Sequence, residues 1–272
     1  MVVRRESVAQ YPRKLRLEST FGNYDADVSI AAEVPAVDVL WLTVKATQLE
    51  ESLSAITNPG AVRAMVPLLN GIDHLSLLRR KYGNEKVIAA TIAVESERVA
   101  PGHVIHRSPF ARLNVSSAGR SLLEGTIGQL QQLGFECRFI DHEPTLMWSK
   151  LVFLAAFALT STAADRTTDE MLADPHWRQL GLSCIREGCA VGTAEGAKLD
   201  AESVIASAMK LASIRMRSSM QKDVEQGKAP ELDAIAGPIL RGARRHGIDI
   251  PATRELVAGV ESRIGVASGL LV

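Results

Sequence analysis

The sequence has no charge of either sign in excess: 31 Lys and Arg balance 31 Asp and Glu over 272 residues. A chain without a basic surplus offers no footing to a nucleic-acid backbone or an anionic membrane surface. A local cluster still suits a small anionic substrate. Cysteine is scarce, with only Cys137, Cys184 and Cys189 present. An odd number of cysteines without metal-ligand spacing argues against a disulfide framework and against a zinc site. Such thiols read as small buried groups, at home in a reducing cytoplasm. The opening MVVRRESVAQYPRK carries basic residues but no apolar stretch behind them, so it does not read as a signal peptide. Internal repeats and low-complexity tracts are lacking too. A single apolar run, Leu146 to Ala164, invites a membrane reading. Lys150 lies inside it, Ser and Thr crowd its end, and no second run accompanies it, so a buried core helix is expected.

What is present belongs to a soluble globular protein of one large or two modest domains: 46% of residues are hydrophobic and 23% charged. The first half alternates apolar runs with helical patterns. Val37 to Val44, Met65 to Leu69 and Val87 to Val94 read as buried parallel strands. Gln48 to Ile56 and Asp73 to Tyr82 read as helices between them. Gly102 to Arg107 and Arg112 to Ser116 look like antiparallel strands. A helix over Ser121 to Leu133 stops at Gly134, and Glu136 to Ile140 makes a last strand. From Asp141-His142-Glu143-Pro144 onward the pattern is helical: Thr145 to Ala163, Asp174 to Gly196, Ala201 to Met209, Leu232 to His246, and Ala252 to Ile264. The expected architecture is an α/β domain over residues 1–142, built on an open parallel sheet, followed by an all-helical domain over 143–272.

In open α/β sheets, ligands bind beyond the carboxyl ends of the strands. Lys45 and Asn70 end two of these strands. Lys45 has the charge to reach a phosphate, a carboxylate or a sugar hydroxyl, or it is a solvated lysine at a strand end. Asn70-Gly71 is either a plain turn or an amide placed against a carbonyl. Lys150 is the single charge between Leu146 and Ala164. A buried ammonium needs a partner or a lowered pKa, which suits general acid or base work near neutral pH. The bland alternative is a first-turn lysine that snorkels to water. The polar stretch Arg217 to Asp223, followed by Glu231-Leu232-Asp233, reads as a solvated linker with Ser218-Ser219 capping a helix, unless Ser219 and Glu231 converge on a ligand.

Taken in order, Val44-Lys45-Ala46, Leu69-Asn70-Gly71, Trp148-Ser149-Lys150-Leu151, Ser218-Ser219-Met220-Gln221-Lys222-Asp223, Glu231-Leu232-Asp233-Ala234-Ile235-Ala236-Gly237 and His246-Gly247-Ile248-Asp249-Ile250-Pro251 resemble the ketopantoate reductases (2-dehydropantoate 2-reductases). The resemblance runs from about Val2 to Ile264. It implies a Rossmann-like first domain and an NADP-dependent oxidoreductase of the pantothenate-biosynthesis type, acting on a small 2-keto acid. It further implies that Lys150 donates a proton to the ketone oxygen, which preorganises charge where charge develops. Asn70 would contact nicotinamide and substrate, Lys45 would help place both, Ser219 would hold the substrate carboxylate, and Glu231 would meet the cofactor ribose.

Two departures stand out. Relatives often carry asparagines one and two turns beyond the catalytic lysine, where this sequence has Leu154 and Ala158, which puts pantoate itself in doubt as the product. The family also opens with a strand and a G-x-G-x-x-G turn that binds pyrophosphate at a helix N-terminus, and no such motif occurs here. Met1-Val2-Val3-Arg4-Arg5 instead looks like the end of a second Rossmann strand, with Arg4 or Arg5 suited to a 2′-phosphate. The expectation is a chain lacking a strand-helix unit of roughly 30 residues, through a misplaced start or gene decay. A competing reading is a cofactor-deficient, non-catalytic remnant whose helical domain binds a ligand or forms a homodimer. A third is a β-hydroxyacid or opine type of dehydrogenase, which the Ser-Ser-Met and Glu-Leu-Asp segments disfavour.

Overall fold

The computed structural model describes residues 1–212, 215–266 and 269–270. Contacts divide the chain into two units. The first comprises Met1–Val44, Gln48–Leu69 and His74–Asp141; the second comprises Lys45–Thr47, Asn70–Asp73 and His142–Val272.

In the first unit the apolar runs form a two-stranded sheet of β3 (Val37–Leu42) and β4 (Val62–Pro67) and a three-stranded sheet of β5 (Ala90–Ala93), β8 (Arg112–Ser116) and β9 (Glu136–Ile140). β3 and β4 are parallel, with Val39 opposite Ala64 and Trp41 opposite Val66. A single parallel bridge, Met65 to Val87, joins β4 to the segment entering β5. β8 runs antiparallel to β5 and parallel to β9. The branched and aliphatic residues of these strands meet α3 (Arg120–Gln132) through Leu123 and Ile127, and that contact is the unit's core. Among the described residues β3 is paired on one side only. Its Val39, Leu40 and Trp41 stay half-buried, whereas Met65 and Val66 of β4 are fully buried.

A third sheet holds β1 (Lys14–Ser19), β2 (Gly22–Asp27), β6 (Ser96–Ala100) and β7 (His103–His106) in the order β2-β1-β7-β6. The sequence does not announce β1, β2 and β6: β2 reads GNYDAD, and β2 and β6 are exposed throughout. Backbone ladders, rather than any apolar periodicity, hold β2 and β6. The 102–107 and 112–116 runs do form strands, but β7 and β8 lie in different sheets and do not pair with each other.

The second unit is helical: α4 (Glu143–Ala164), α5 (Thr168–Ala173), α6 (Pro175–Ala194), α7 (Ala201–Ala212), α8 (Ser219–Glu225), α9 (Leu232–His246) and α10 (Pro251–Ile264). α4 is apolar on every side, and helices of that kind sit in a core. Its length and composition would allow a membrane crossing, but 67% of its apolar window is buried inside the protein. His142 caps it, its Nδ1 accepting from the Thr145 backbone N–H. Leu151, Val152, Ala155 and Leu159 pack with Cys184, Ile239 and Leu256 of α6, α9 and α10. The three cysteines are buried and free. Burial pushes Cys184 up to about 12 and Cys189 up to about 11, so both remain thiols.

Candidate active site

Glu231, immediately before α9, is the hub of the site. Its side chain is buried, and both carboxylate oxygens are occupied. The backbone N–H of Ala46 donates to Oε1 at 2.7 Å, and the Asn70 side-chain Nδ2 donates to Oε2 at 3.0 Å. A carboxylate only accepts, so the amino end of Asn70 must face it, and the Asn70 Oδ1 faces away. Next to Ala46, the Lys45 Nζ is 2.6 Å from both Asp223 carboxylate oxygens. The two strand-end loops are therefore held by acidic groups from α8 and from the entry to α9.

Gly71 makes this closure feasible. Its φ is +82°, and a Cβ there would collide with the Ala234 carbonyl oxygen in α9. Pro238 lies inside α9 and has no N–H, so that carbonyl lacks its helical donor. Only a residue without a side chain can lie over it with this backbone. Gly71→Ala should cost roughly 2–4 kcal/mol of stability through left-handed strain and overlap combined. Urea denaturation checks this; a midpoint unchanged from the parent would mean the loop relaxes freely.

Lys150 sits in the second turn of α4. The residue keeps some solvent exposure. Enough protein surrounds the amine, however, that burial lowers it to about 8, against a smaller upward pull from the Glu231 charge. Among the described residues its amine has no hydrogen-bond partner. It is thus a cation with donors to spare, kept from full ionisation by its surroundings and biased toward charge by Glu231. One and two turns further along α4, Leu154 is half-buried and Ala158 fully buried. Neither of these two positions carries a hydrogen-bonding side chain.

Two family models account for most of the sequence: "Ketopantoate reductase PanE/ApbA" matches residues 1–119, and its C-terminal counterpart matches 145–263. The 2-dehydropantoate 2-reductase of Mycobacterium tuberculosis (strain H37Rv) is 30% identical over 231 residues, covering 81% of this chain and 74% of that protein. This chain belongs to the ketopantoate reductase family. As a member it is an oxidoreductase. The 2-dehydropantoate 2-reductase of Caulobacter vibrioides is 28% identical over 256 residues, or 90% of this chain and 84% of the relative. The fold agrees: the crystal structure of a PanE/ApbA family ketopantoate reductase from Ralstonia eutropha superposes with a TM-score of 0.82 at 24% identity, over 96% of this chain and 87% of that one.

Of the residues singled out in the sequence as a ketopantoate reductase site, Lys45, Asn70, Lys150 and Glu231 lie in one unit. Glu231 bonds Asn70 and acts electrostatically on Lys150. Ser219 is exposed, at the first position of α8; its neighbour Ser218 is the buried one, capping α8 and accepting from the Ser161 hydroxyl at 2.7 Å. Arg4 and Arg5 are exposed in the other unit, where Arg5 pairs with Glu33 at 2.8 Å. Asp223, read from sequence as solvated, is instead the partner of Lys45, 178 residues away. No local signal carries that pairing. Among the described residues no cluster of His, Cys, Asp or Glu is placed to hold a metal.

Proposed function

We propose that this chain reduces the carbonyl of a 2-keto acid, with 2-dehydropantoate or a related acid as substrate and NADPH as reductant. The observation that carries the reading is Lys150: an ammonium without a hydrogen-bond partner among the described residues, poised near neutrality in an apolar helix and biased by a carboxylate that also holds Asn70.

The residues fit the reacting end of such a pair. Lys150 has free donors for a carbonyl oxygen. Below pH about 8 it carries the proton that the new hydroxyl requires. When bound, the reduced nicotinamide supplies the hydride. Delivering the proton leaves a neutral amine, which the apolar surroundings favour, and the remaining exposure of Lys150 lets water restore it. Asn70 presents its Oδ1, and in this proposal it orients the nicotinamide carboxamide and the substrate. Lys45, Glu231 and either Arg4 or Arg5 would hold the cofactor, the arginine at its 2′-phosphate, and Ser219 the substrate carboxylate. No G-x-G-x-x-G for the pyrophosphate occurs among the 272 residues. Cofactor affinity is therefore the first quantity to measure. Leu154 and Ala158 offer nothing to a substrate hydroxyl, which favours a 2-keto acid with an apolar side chain over 2-dehydropantoate.

NADPH titration followed by fluorescence, then turnover of 2-dehydropantoate beside apolar-chain 2-keto acids, tests the proposal. Saturable binding is expected, with kcat/KM for reduction falling about one decade per pH unit above pH about 8 as Lys150 loses its proton. A folded chain that neither binds NADPH nor turns over any of these acids would sink it.

A further inference from the structure

α4 also lines a different pocket, together with α5, α6 and α7 and with Met216 beyond them. About 580 Å³ of empty space lies there, part of it open to solvent. The walls are mostly apolar, with Arg178 the one charged residue among them: Phe153 and Phe157 stack with ring centroids 6.3 Å apart, and Trp177 and Met171 line the same space. Phe153 and Phe157 stand one and two turns beyond Lys150 on α4, but none of Lys45, Asn70, Lys150 and Glu231 lines this pocket.

One polar atom stands apart in this lining. The Thr160 hydroxyl is buried, at 3% exposure, and has no partner among the described residues. A threonine inside a helix ordinarily returns its hydroxyl to a carbonyl one turn back; this one does not. It lies against the bare backbone of Gly181, where a Cβ would come within 3.2 Å of the Thr160 Oγ1. A glycine in the middle of a 20-residue helix weakens it, and here the missing side chain leaves room beside the hydroxyl. Burying an unsatisfied hydroxyl is costly, and a ligand with a matching polar atom removes the cost.

We propose that this pocket is a binding site for a small uncharged aromatic molecule bearing a single hydrogen-bonding group, its ring against Phe153, Phe157 and Trp177 and its polar atom on Thr160. Ring stacking and methionine contacts supply the affinity; the hydroxyl supplies the discrimination.

Phenol and toluene, alike in size but not in the hydroxyl, are suitable probes. Of the seven methionines, Met171, Met209 and Met216 line the pocket while Met1, Met65, Met147 and Met220 do not. Methyl-labelled methionine NMR of the full chain therefore reads occupancy site by site. Saturable shifts confined to the three lining methyls are expected, with phenol binding severalfold tighter than toluene. In Thr160→Val that preference should vanish while toluene binding persists, and the ligand-free variant should be at least as stable as the parent. Three results would overturn the proposal: no saturable shift with either probe, shifts spread over all seven methyls, or shifts that follow protein concentration rather than phenol. The last would mean that a second copy fills the pocket.

Discussion

Lys150→Met should lose turnover by about 10²–10⁴-fold, the usual contribution of a general acid, while the protein becomes more stable at pH 7. The second half of that expectation follows from linkage. In the unfolded chain the amine titrates at its ordinary 10.5; in the folded chain it titrates at about 8. Between those values the unfolded state binds more protons, so stability rises with pH across the window. Below it, folding carries the full penalty of a disfavoured ammonium, on the order of 3 kcal/mol at most. Methionine removes that penalty, so the gain should be largest at pH 7, shrink as pH rises past 8, and vanish above 10.5. Thermal melts at several pH values, beside NADPH-coupled turnover, check both halves. A variant that is inactive but less stable at neutral pH would mean the amine is satisfied in the native state, contrary to its role as a waiting donor.

Glu231→Gln should produce the second large effect. The carboxylate accepts from Ala46 and from Asn70 at once. A carboxamide has one acceptor oxygen, so one donor would meet an NH₂ group, at a cost of about 1–3 kcal/mol for a buried unsatisfied donor. The negative charge that raises Lys150 disappears as well. The amine should then fall below its present value of about 8, and the alkaline limb of the pH–rate profile should move to lower pH. A role limited to holding the loops would cost stability but leave the limb where it is. The two readouts therefore separate electrostatic tuning from scaffolding.

The sequence made some of this legible and hid the rest for definable reasons. α9 has the expected span, Leu232–His246, because its apolar stripe ends at Gly247, which takes the left-handed cap conformation. Lys150 stood out because a single charge in a uniformly apolar helix has few innocent explanations. The hairpin of β1 and β2 is hard to read because β2 faces water throughout and β1 offers only Leu15 and Leu17 as an alternating apolar pair, too short a signal to stand out. The short helices α5 and α8 fell below the length at which periodicity speaks. Of the Ser218-Ser219 pair, Ser218 is the buried cap of α8 and Ser219 stands exposed at its first position, a division of labour that the sequence of two serines does not reveal. The Lys45–Asp223 pair joins positions 178 apart, and composition cannot reveal a partner at that distance.

The grouping of Lys45–Thr47 and Asn70–Asp73 with the helices bears on how the protein tolerates being cut. A fragment starting at His142 would retain α4 to α10 yet leave Glu231 with neither of its hydrogen-bond donors, since Ala46 and Asn70 stay behind on the other piece. The helical half is thus not a severable module: two loops contributed by the first half of the sequence complete its interior, and dissection at the obvious junction would expose an orphaned anion.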